Sequence, residues 1–274
     1  MDRRPIGMFD SGFGGLTVAR AAIDLLPAEH LVYLGDTGRY PYGSRSLEEV
    51  RAFSIEIAEH LLDRYDVKVL VVACNTATAA ALDDLRRLLP IPVVGVIDAG
   101  VRSLVQASRS GRLGVIGTIA TVGSGAYEAS LTAVGAEREL SLVSCACPGF
   151  VEFVERGVTT GREAALLAER LLAPIVAAEV DALLLGCTHY PYLARVISDT
   201  VGRQVVLVSS ADETAFALAR MLREESLEND GADGIGTQQF VSSGDIRAFI
   251  TLGSRLLGPE LADAEQWTPR NPTD

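Results

Sequence analysis

Short apolar runs rich in Val, Ile and Leu alternate with longer amphipathic segments along most of this 274-residue chain. Strands are predicted at residues 6–9, 31–35, 69–73, 93–96, 113–117, 140–144, 182–186, 205–208 and 239–242. Helices are predicted at residues 47–64, 77–89, 162–177 and 212–225. Fully apolar runs are typical of strands buried on both faces, and strands joined by helices pair in parallel. The sequence therefore predicts an α/β fold with parallel sheets.

The alternation of strands and helices occurs twice along the chain. Late in each half, an apolar run leads to a cysteine. The apolar run at residues 69–73 leads to Cys74, the run at residues 182–186 leads to Cys187, and small polar residues follow both cysteines. This layout predicts two pseudo-symmetric αβ domains, one made of residues 1–97 and 209–274 and the other of residues 98–208. Because ligands of open α/β sheets bind beyond the carboxyl ends of the strands, we expect the active site in the cleft between the domains.

Cys74 and Cys187 are the strongest candidates for catalysis. A thiol between a strand and a helix lies near the helix amides and dipole, which lower its pKa from about 8.5. Either cysteine alone could equally be a small buried hydrophobic residue, but two in equivalent turns favour a function. A zinc site is disfavoured, since only His189 lies at ligand spacing and zinc needs three or four ligands. Cys145 and Cys147 are interpreted as packing residues, and disulfides are not expected in a cytosolic chain.

Two other turns at strand ends carry candidate binding groups. The glycine-rich turn after the first strand lacks the glycine patterns of dinucleotide sites and P-loops. Its Asp10 and Ser11 could bind a substrate ammonium, or Asp10 could accept a hydrogen bond from a thiol. The long loop at residues 34–44 is a candidate binding loop in which the backbone amides of Tyr42 and Gly43 hold a carboxylate. The alternative for that loop is a surface connection without a ligand.

His189 is the histidine expected to act, because it follows Cys187 by two positions in the same turn. We expect it to tune the Cys187 thiol or to carry its proton. The alternative is a histidine that is only a hydrogen-bonded polar group. Glu152, in a helix predicted after Cys147, is a candidate supporting acid.

The formal net charge is -12 and the pI about 4.8. Nucleic acids and anionic membranes are bound by clustered Lys and Arg, so this balance argues against both as partners. The longest apolar run is far shorter than the roughly 20 residues that span a bilayer, and the N-terminal residues lack a signal-peptide pattern. We therefore expect a cytoplasmic protein, with a frayed tail at residues 267–274.

Taken together, these motifs resemble the glutamate racemase family. The resemblance covers nearly the whole chain and rests on residues 7–15, 35–43, 73–77, Gly117-Thr118 with Thr121, Cys147-Pro148 and residues 186–191. It implies a catalytic group made of Cys74, Cys187, Asp10, His189 and Glu152. It also implies substrate contacts from Asp10, Ser11, Tyr42, Gly43, Asn75, Thr76, Thr118, Thr121 and Thr188.

The resemblance implies interconversion of L- and D-glutamate without a metal or cofactor, supplying D-glutamate for bacterial peptidoglycan and so for cell shape. It further implies a homodimer and, as a side activity of some members, inhibition of DNA gyrase. Two thiols suit this chemistry, because racemisation needs a base on one face of the α-carbon and an acid on the other. Without pyridoxal phosphate, the developing carbanion must be stabilised by preorganised amides and hydroxyls. The alternatives are a racemase of another amino acid, similar to aspartate or hydantoin racemases, and a regulatory role without catalysis.

Replacing either cysteine by serine should abolish the interconversion of the glutamate enantiomers, because a hydroxyl is a far weaker acid than a thiol. Purified Cys74→Ser and Cys187→Ser variants, assayed from both enantiomers with no added cofactor, check this expectation. Full activity in either variant would contradict the two-thiol mechanism.

Overall fold

The computed structural model describes residues 2–135, 139–232 and 234–270. Its strands are β1 (Ile6–Asp10), β2 (Leu31–Gly35), β3 (Val69–Val72), β4 (Val93–Gly95), β5 (Arg112–Gly117), β6 (Ser141–Ala146), β7 (Ala182–Gly186), β8 (Val206–Ser209), β9 (Gln238–Ser242) and β10 (Glu265–Gln266). Its α-helices are α1 (Leu16–Leu25), α2 (Leu47–Tyr65), α3 (Asn75–Leu88), α4 (Val96–Ala107), α5 (Ile119–Gly123), α6 (Ala126–Val134), α7 (Phe150–Glu155), α8 (Arg162–Ala177), α9 (Ala194–Val201), α10 (Ser210–Glu224) and α11 (Ile246–Leu256). Short 3-10 helices span Tyr42–Ser44 and Tyr190–Leu193.

The strands form two parallel sheets whose central orders are equivalent. The first sheet has the order β10-β9-β2-β1-β3-β4 and the second the order β6-β5-β7-β8. The order β2-β1-β3-β4 therefore recurs as β6-β5-β7-β8, and each cysteine follows the third strand of its set. The predicted α/β class with parallel sheets is confirmed. The domain boundaries stay a prediction, although β9 and β10 do join the first sheet.

Helices cover both faces of each sheet. On the first sheet, α2 and α3 pack on one face, and α1, α10 and α11 pack on the other. On the second sheet, α8 and α9 cover one face, and α4 and α6 cover the other. The side chains of successive strand residues pack into the hydrophobic cores on opposite faces of the sheet, as those of Met8 and Phe9 do, because side chains alternate along a strand. Within the described ranges, no helix is long and apolar enough to cross a membrane.

The chain's C-terminal region departs from the predicted frayed tail. Trp267 is 9% exposed, stacks on the His60 ring with centroids 5.1 Å apart, and donates its backbone N–H to Ser242 at 2.9 Å. Arg270 pairs with Glu59 at 2.9 Å. The frayed-tail prediction is wrong for residues 267–270, because burial of the indole against α2 offsets the entropy of ordering them. Residues 271–274 lie outside the described residues.

Lys68, the one lysine of the chain, lies at the end of β3 opposite Cys74 and is fully buried. Its ammonium donates to the Glu29 carboxylate at 2.6 Å and to the carbonyl oxygens of Asp2 and Leu227, each at 2.7 Å. The three contacts join the N-terminal segment, the loop after α1 and the loop after α10. Three acceptors match the three ammonium hydrogens, so the buried charge is compensated.

Replacing Lys68 by Met should lower the free energy of unfolding by about 3–5 kcal/mol, because Glu29 would stay buried without a countercharge. Urea denaturation of the variant and the parent checks this. Arg203→Met is the matched control, since Arg203 and Asp199 form an exposed pair at 3.7 Å, and it should leave stability almost unchanged. A Lys68→Met loss as small as that of the control would show that the buried pair is not stabilising.

Candidate active site

A cavity of about 20 Å³ lies where the carboxyl ends of the two sheets meet. Its walls are Asp10, Ser11, Tyr40, Pro41, Tyr42, Gly43, Cys74, Asn75, Thr76, Thr118, Val151, Cys187, Thr188 and His189. Each sheet with its helices forms a lobe, and both lobes contribute to the cavity. All the site residues predicted from the sequence line it except Thr121 and Glu152. Its volume is about that needed for one water molecule, so an amino-acid ligand requires the walls to move apart.

Cys74 occupies the N-cap position of α3, two residues after the end of β3. The thiol is 5% exposed, and its Sγ lies 3.9 Å from the Ser11 hydroxyl. Burial and the nearby Asp10 carboxylate raise the pKa of Cys74, and the backbone N–H groups of Ala77 and Ser11 oppose this only in part. The predicted lowering of this pKa by the helix N-terminus is therefore wrong, because desolvation of the thiolate outweighs the helix amides. At rest, Cys74 is a protonated thiol.

Asp10 explains much of this electrostatic environment. The carboxylate is fully buried, and its Oδ2 accepts hydrogen bonds from the backbone N–H groups of Gly12 at 3.1 Å and Gly15 at 3.0 Å. Its Oδ1 has no hydrogen-bond partner in the described part of the chain. Burial raises the pKa of Asp10, while the positive charge of His189 and the two backbone donors oppose that rise. Oδ1 is thus free to accept a proton or a substrate ammonium.

The Cys187 turn differs from the Cys74 turn. Cys187 follows β7, but the next segment is a 3-10 helix that begins at Tyr190, so the predicted α-helix N-terminus is not adjacent. Its Sγ instead lies 3.9 Å from His189 Nδ1. On the other side of the ring, His189 Nε2 lies 3.7 Å from Glu155 Oε1.

His189 is held as a cation by these neighbours. Burial by itself would lower the pKa of the imidazole, but its contacts with Cys187 and Glu155 and the charge of Asp10 raise it to about 10. An imidazolium donates from both ring nitrogens, so Nδ1 points a proton at the Cys187 sulfur and Nε2 faces Glu155. Cys74 therefore faces a carboxylate, whereas Cys187 faces a cation.

Glu155 takes the place expected for Glu152. Val151 lines the cavity, and Glu155 follows it by four positions in α7, which brings both side chains to the same face of the helix. Glu152 is exposed on the side away from buried Phe150 and Val154. The prediction of Glu152 as the supporting acid is therefore corrected, because the helix phase carries its side chain away from the cleft.

Three threonine hydroxyls join the lobes beside the cavity. Thr76 Oγ1 lies 3.1 Å from Thr118 Oγ1 and 3.0 Å from Thr121 Oγ1, and the last two are 2.8 Å apart. Thr118 also caps α5 by accepting the backbone N–H of Thr121 at 3.2 Å. Thr121 is fully buried behind the other two. Thr121 does not line the closed cavity, and its hydroxyl contacts those of Thr76 and Thr118. The substrate contact at Thr121 stays a prediction.

The loop after β2 is organised around a buried carboxylate, Asp36. Asp36 accepts hydrogen bonds from Arg39 Nε at 2.7 Å, Ser243 Oγ at 2.5 Å and the Tyr42 hydroxyl. The Tyr42 ring is thereby held in the core, and Tyr42 also lines the cavity. The role of its backbone amide as a carboxylate donor stays a prediction. Tyr40, in the same loop, also lines the cavity, and its ring centroid lies 6.0 Å from that of His189.

Close contact between the lobes requires glycine at two positions. A Cβ on Gly14 would lie 2.2 Å from Thr188 Oγ1 and 2.6 Å from His189 Nδ1, and a Cβ on Gly43 would lie 2.7 Å from the Thr118 side chain. Any larger residue would hold the lobes apart. The glycines in these turns therefore allow the two cysteine-bearing edges to share one cavity.

Five residues of the site have no role assigned from the sequence: Asp36, Tyr40, Pro41, Val151 and Glu155. Asp36 alone had a usable signal, since it is an acidic residue directly after a strand. The others depend on the path of a loop or the phase of a short helix. Among the described residues, no group of three or more His, Cys, Asp or Glu side chains is placed to hold a metal ion.

Two equivalent parallel sheets, each placing one cysteine at a shared buried cleft, define a class of α/β protein with paired active-site thiols. A family model described as Asp/Glu/Hydantoin racemase matches residues 16–219. The chain belongs to this family.

Glutamate racemases of several bacteria are similar to this chain. The chain is 50% identical over 262 residues to that of Parafrankia sp. (strain EAN1pec), covering 95% of this chain and 93% of that one. It is 49% identical over 265 residues to that of Mycobacterium tuberculosis (strain CDC 1551 / Oshkosh), covering 97% and 96%. The structure of isoform RacE1 from Bacillus anthracis matches with a TM-score of 0.91 at 38% identity, covering 99% of both chains. The Francisella tularensis enzyme in complex with D-glutamate matches with a TM-score of 0.89 at 33% identity, covering 98% of both. The family resemblance is confirmed.

Replacing Glu155 by Gln should lower kcat by 10-fold or more, because the amide can no longer stabilise the imidazolium at His189. The pH profile of kcat should shift at the same time, since the pKa of His189 falls when the carboxylate is removed. Glu152→Gln is the matched control and should change kcat far less. A larger loss in Glu152→Gln than in Glu155→Gln would restore Glu152 as the supporting acid.

Proposed function

We propose that this protein interconverts L- and D-glutamate by passing protons between Cys74 and Cys187 at the cleft. The observation that carries the proposal is that these two thiols, from equivalent turns of two equivalent sheets, line the same buried cavity. The glutamate racemases similar to this chain support glutamate as the substrate. The biological role that follows is the supply of D-glutamate for peptidoglycan.

In the proposed reaction, one cysteine acts as a thiolate and the other as a thiol. The thiolate takes the α-proton of bound glutamate, and the electron pair of the broken C–H bond remains on the substrate as a carbanion conjugated with the carboxylate. The thiol on the opposite face then donates its proton to the α-carbon, which inverts the configuration. The two cysteines have now exchanged protonation states, so the same site runs in reverse.

The charged partners suit this exchange. The Asp10 carboxylate favours the protonated form of Cys74, and the His189 imidazolium can donate a hydrogen bond to a Cys187 thiolate. When the proton moves from one sulfur to the other through the substrate, Asp10 and His189 can each compensate by accepting or releasing a proton. We therefore assign Asp10 and the His189–Glu155 pair to opposite faces of the substrate.

Hydrogen-bond donors around the cavity would bind the substrate carboxylates and stabilise the carbanion. The candidates are the amides of Tyr42 and Gly43, the Asn75 side-chain amide, and the hydroxyls of Ser11, Thr76, Thr118 and Thr188. Such donors act strongly in a dry cavity because little solvent screens them. The ammonium would be bound by Asp10 Oδ1. No further electron sink is proposed, and the one lysine that could carry pyridoxal phosphate is committed to Glu29.

Several finer features belong to the same proposal. A cytoplasmic location suits a mechanism whose two thiols must stay reduced. Homodimerisation and inhibition of DNA gyrase stay predictions that depend on the family resemblance. Racemisation of aspartate or another amino acid is the competing activity, and the small closed cavity favours neither substrate by itself.

Racemisation in ²H₂O tests the proposal directly. Each thiol exchanges its proton with solvent between turnovers, so the product should carry deuterium at the α-carbon while unreacted substrate stays unlabelled at early times. Mass spectrometry of separated enantiomers, starting from L-glutamate and then from D-glutamate, measures this. Equal early labelling of substrate and product would indicate a single base. Turnover of aspartate exceeding that of glutamate in the same assay would favour the competing activity.

A further inference from the structure

Tyr127, a residue of α6 outside the cavity wall, touches both cysteine turns from behind. Its side chain is fully buried, and its hydroxyl lies 3.0 Å from Asn75 Oδ1 and 2.9 Å from the Gly186 carbonyl oxygen. Asn75 directly follows Cys74, and Gly186 directly precedes Cys187. One phenolic hydroxyl thus connects the two turns across the boundary between the sheets.

This contact determines which end of the Asn75 amide faces the substrate. Oδ1 is directed at the Tyr127 hydroxyl, whereas Nδ2 is buried without a hydrogen-bond partner in the described ranges, and the residue lines the cavity. The phenol has one hydrogen, which the amide oxygen and the Gly186 carbonyl oxygen share as a three-centre bond. In this arrangement the amide nitrogen is left as a donor on the other side. A buried N–H₂ group without a partner is costly unless a ligand accepts from it.

The packing around the hydroxyl is specific. A Cβ added to Gly186 would lie 2.2 Å from the Tyr127 hydroxyl oxygen and 2.7 Å from the Ile116 carbonyl oxygen. The last residue of β7 is therefore matched to the tyrosine, because only a glycine lets the ring reach Asn75. The ring itself is fixed by the apolar layer between α4, α6 and the second sheet.

We propose that Tyr127 is a positioning residue that acts through Asn75: its hydroxyl fixes the amide so that Nδ2 donates to a carboxylate of the bound substrate. The proposal rests on the proposed function, since the ligand is taken to be an amino dicarboxylate. Tyr127 also joins the Asn75 turn to the Cys187 turn, so the substrate donor lies next to both cysteine-bearing turns.

Replacing Tyr127 by Phe removes the hydroxyl and keeps the ring. The Asn75 amide can then rotate, and its donor is lost from the cavity for part of the time. We expect KM for glutamate to rise about 3- to 10-fold in both directions, the size of one hydrogen bond, with a smaller change in kcat. An unchanged KM would overturn the proposal.

Tyr190→Phe is the matched structural control. Tyr190 is equally buried, and its hydroxyl likewise lies between two carbonyl oxygens, those of Gly117 at 3.0 Å and Cys147 at 3.2 Å, both within the second sheet and its turns. Both variants should lose similar thermal stability. A rise in KM for Tyr190→Phe equal to that for Tyr127→Phe would assign the effect to general loosening and overturn the proposal.

A double-mutant cycle with Asn75→Ala tests whether Tyr127 acts through the amide. Asn75→Ala should raise KM by itself, and adding Tyr127→Phe to it should cause no further rise. If the KM increases of the two single variants multiplied in the double variant, the tyrosine would act by another route and the proposal would be overturned.

Calorimetric measurement of glutamate binding separates this proposal from the proposed function. The proteins are the parent, Tyr127→Phe, Asn75→Ala and the double variant. Binding of glutamate by the parent without any turnover would reject racemisation. The positioning role would still be supported if Tyr127→Phe weakened glutamate affinity in the parent but not in the Asn75→Ala variant. Racemisation by the parent with equal affinity in Tyr127→Phe would reject the positioning role and leave the function standing.

Discussion

The site depends on two parallel sheets that present their carboxyl edges to each other across a space of about one water molecule. At such an edge, side chains following several strands converge, because parallel strands all end in the same direction. Here two edges converge, so the cavity is bounded on opposite sides by the turns after β3 and β7. Gly14 and Gly43 permit this short distance, and the hydrogen bonds of the threonine hydroxyls and of Tyr127 join the two edges while the cavity is closed.

The two lobes have nearly the same strand layout, but the charged groups beside their cysteines differ. The two cysteines are equivalent in the fold, but Cys74 lies beside a buried carboxylate and Cys187 beside an imidazolium. Two thiols in identical environments would hold a proton equally well, whereas the neighbours of Cys74 raise its pKa and so favour its protonated form. The asymmetry arises because the repeated strand layout fixes only backbone positions. The partners come from unrelated segments, the turn after β1 and helix α7.

Much of the fold and part of the site follow from local patterns in the sequence. The buried strands were predicted within about two residues of their observed ends, since a fully apolar run leaves little choice of environment. Asp10, Cys74 and Cys187 were identified because each directly follows such a strand. The errors have physical causes: the sequence does not show the rotational phase of a short helix, which turns Glu152 away from the cleft, or the burial that raises the pKa of Cys74.

The sequence by itself determined the α/β class, the repeated strand layout and the paired cysteines, because these depend on local apolar runs and on the residues that end them. Only the tertiary structure decided which acid reaches His189, which threonine lies behind the others, and how Tyr127 orients Asn75. These are contacts between segments far apart in the chain, such as Asn75, Tyr127 and Gly186. Their geometry is set by how the two lobes pack, and a change of one residue in helix phase or of one methyl group at a glycine alters it.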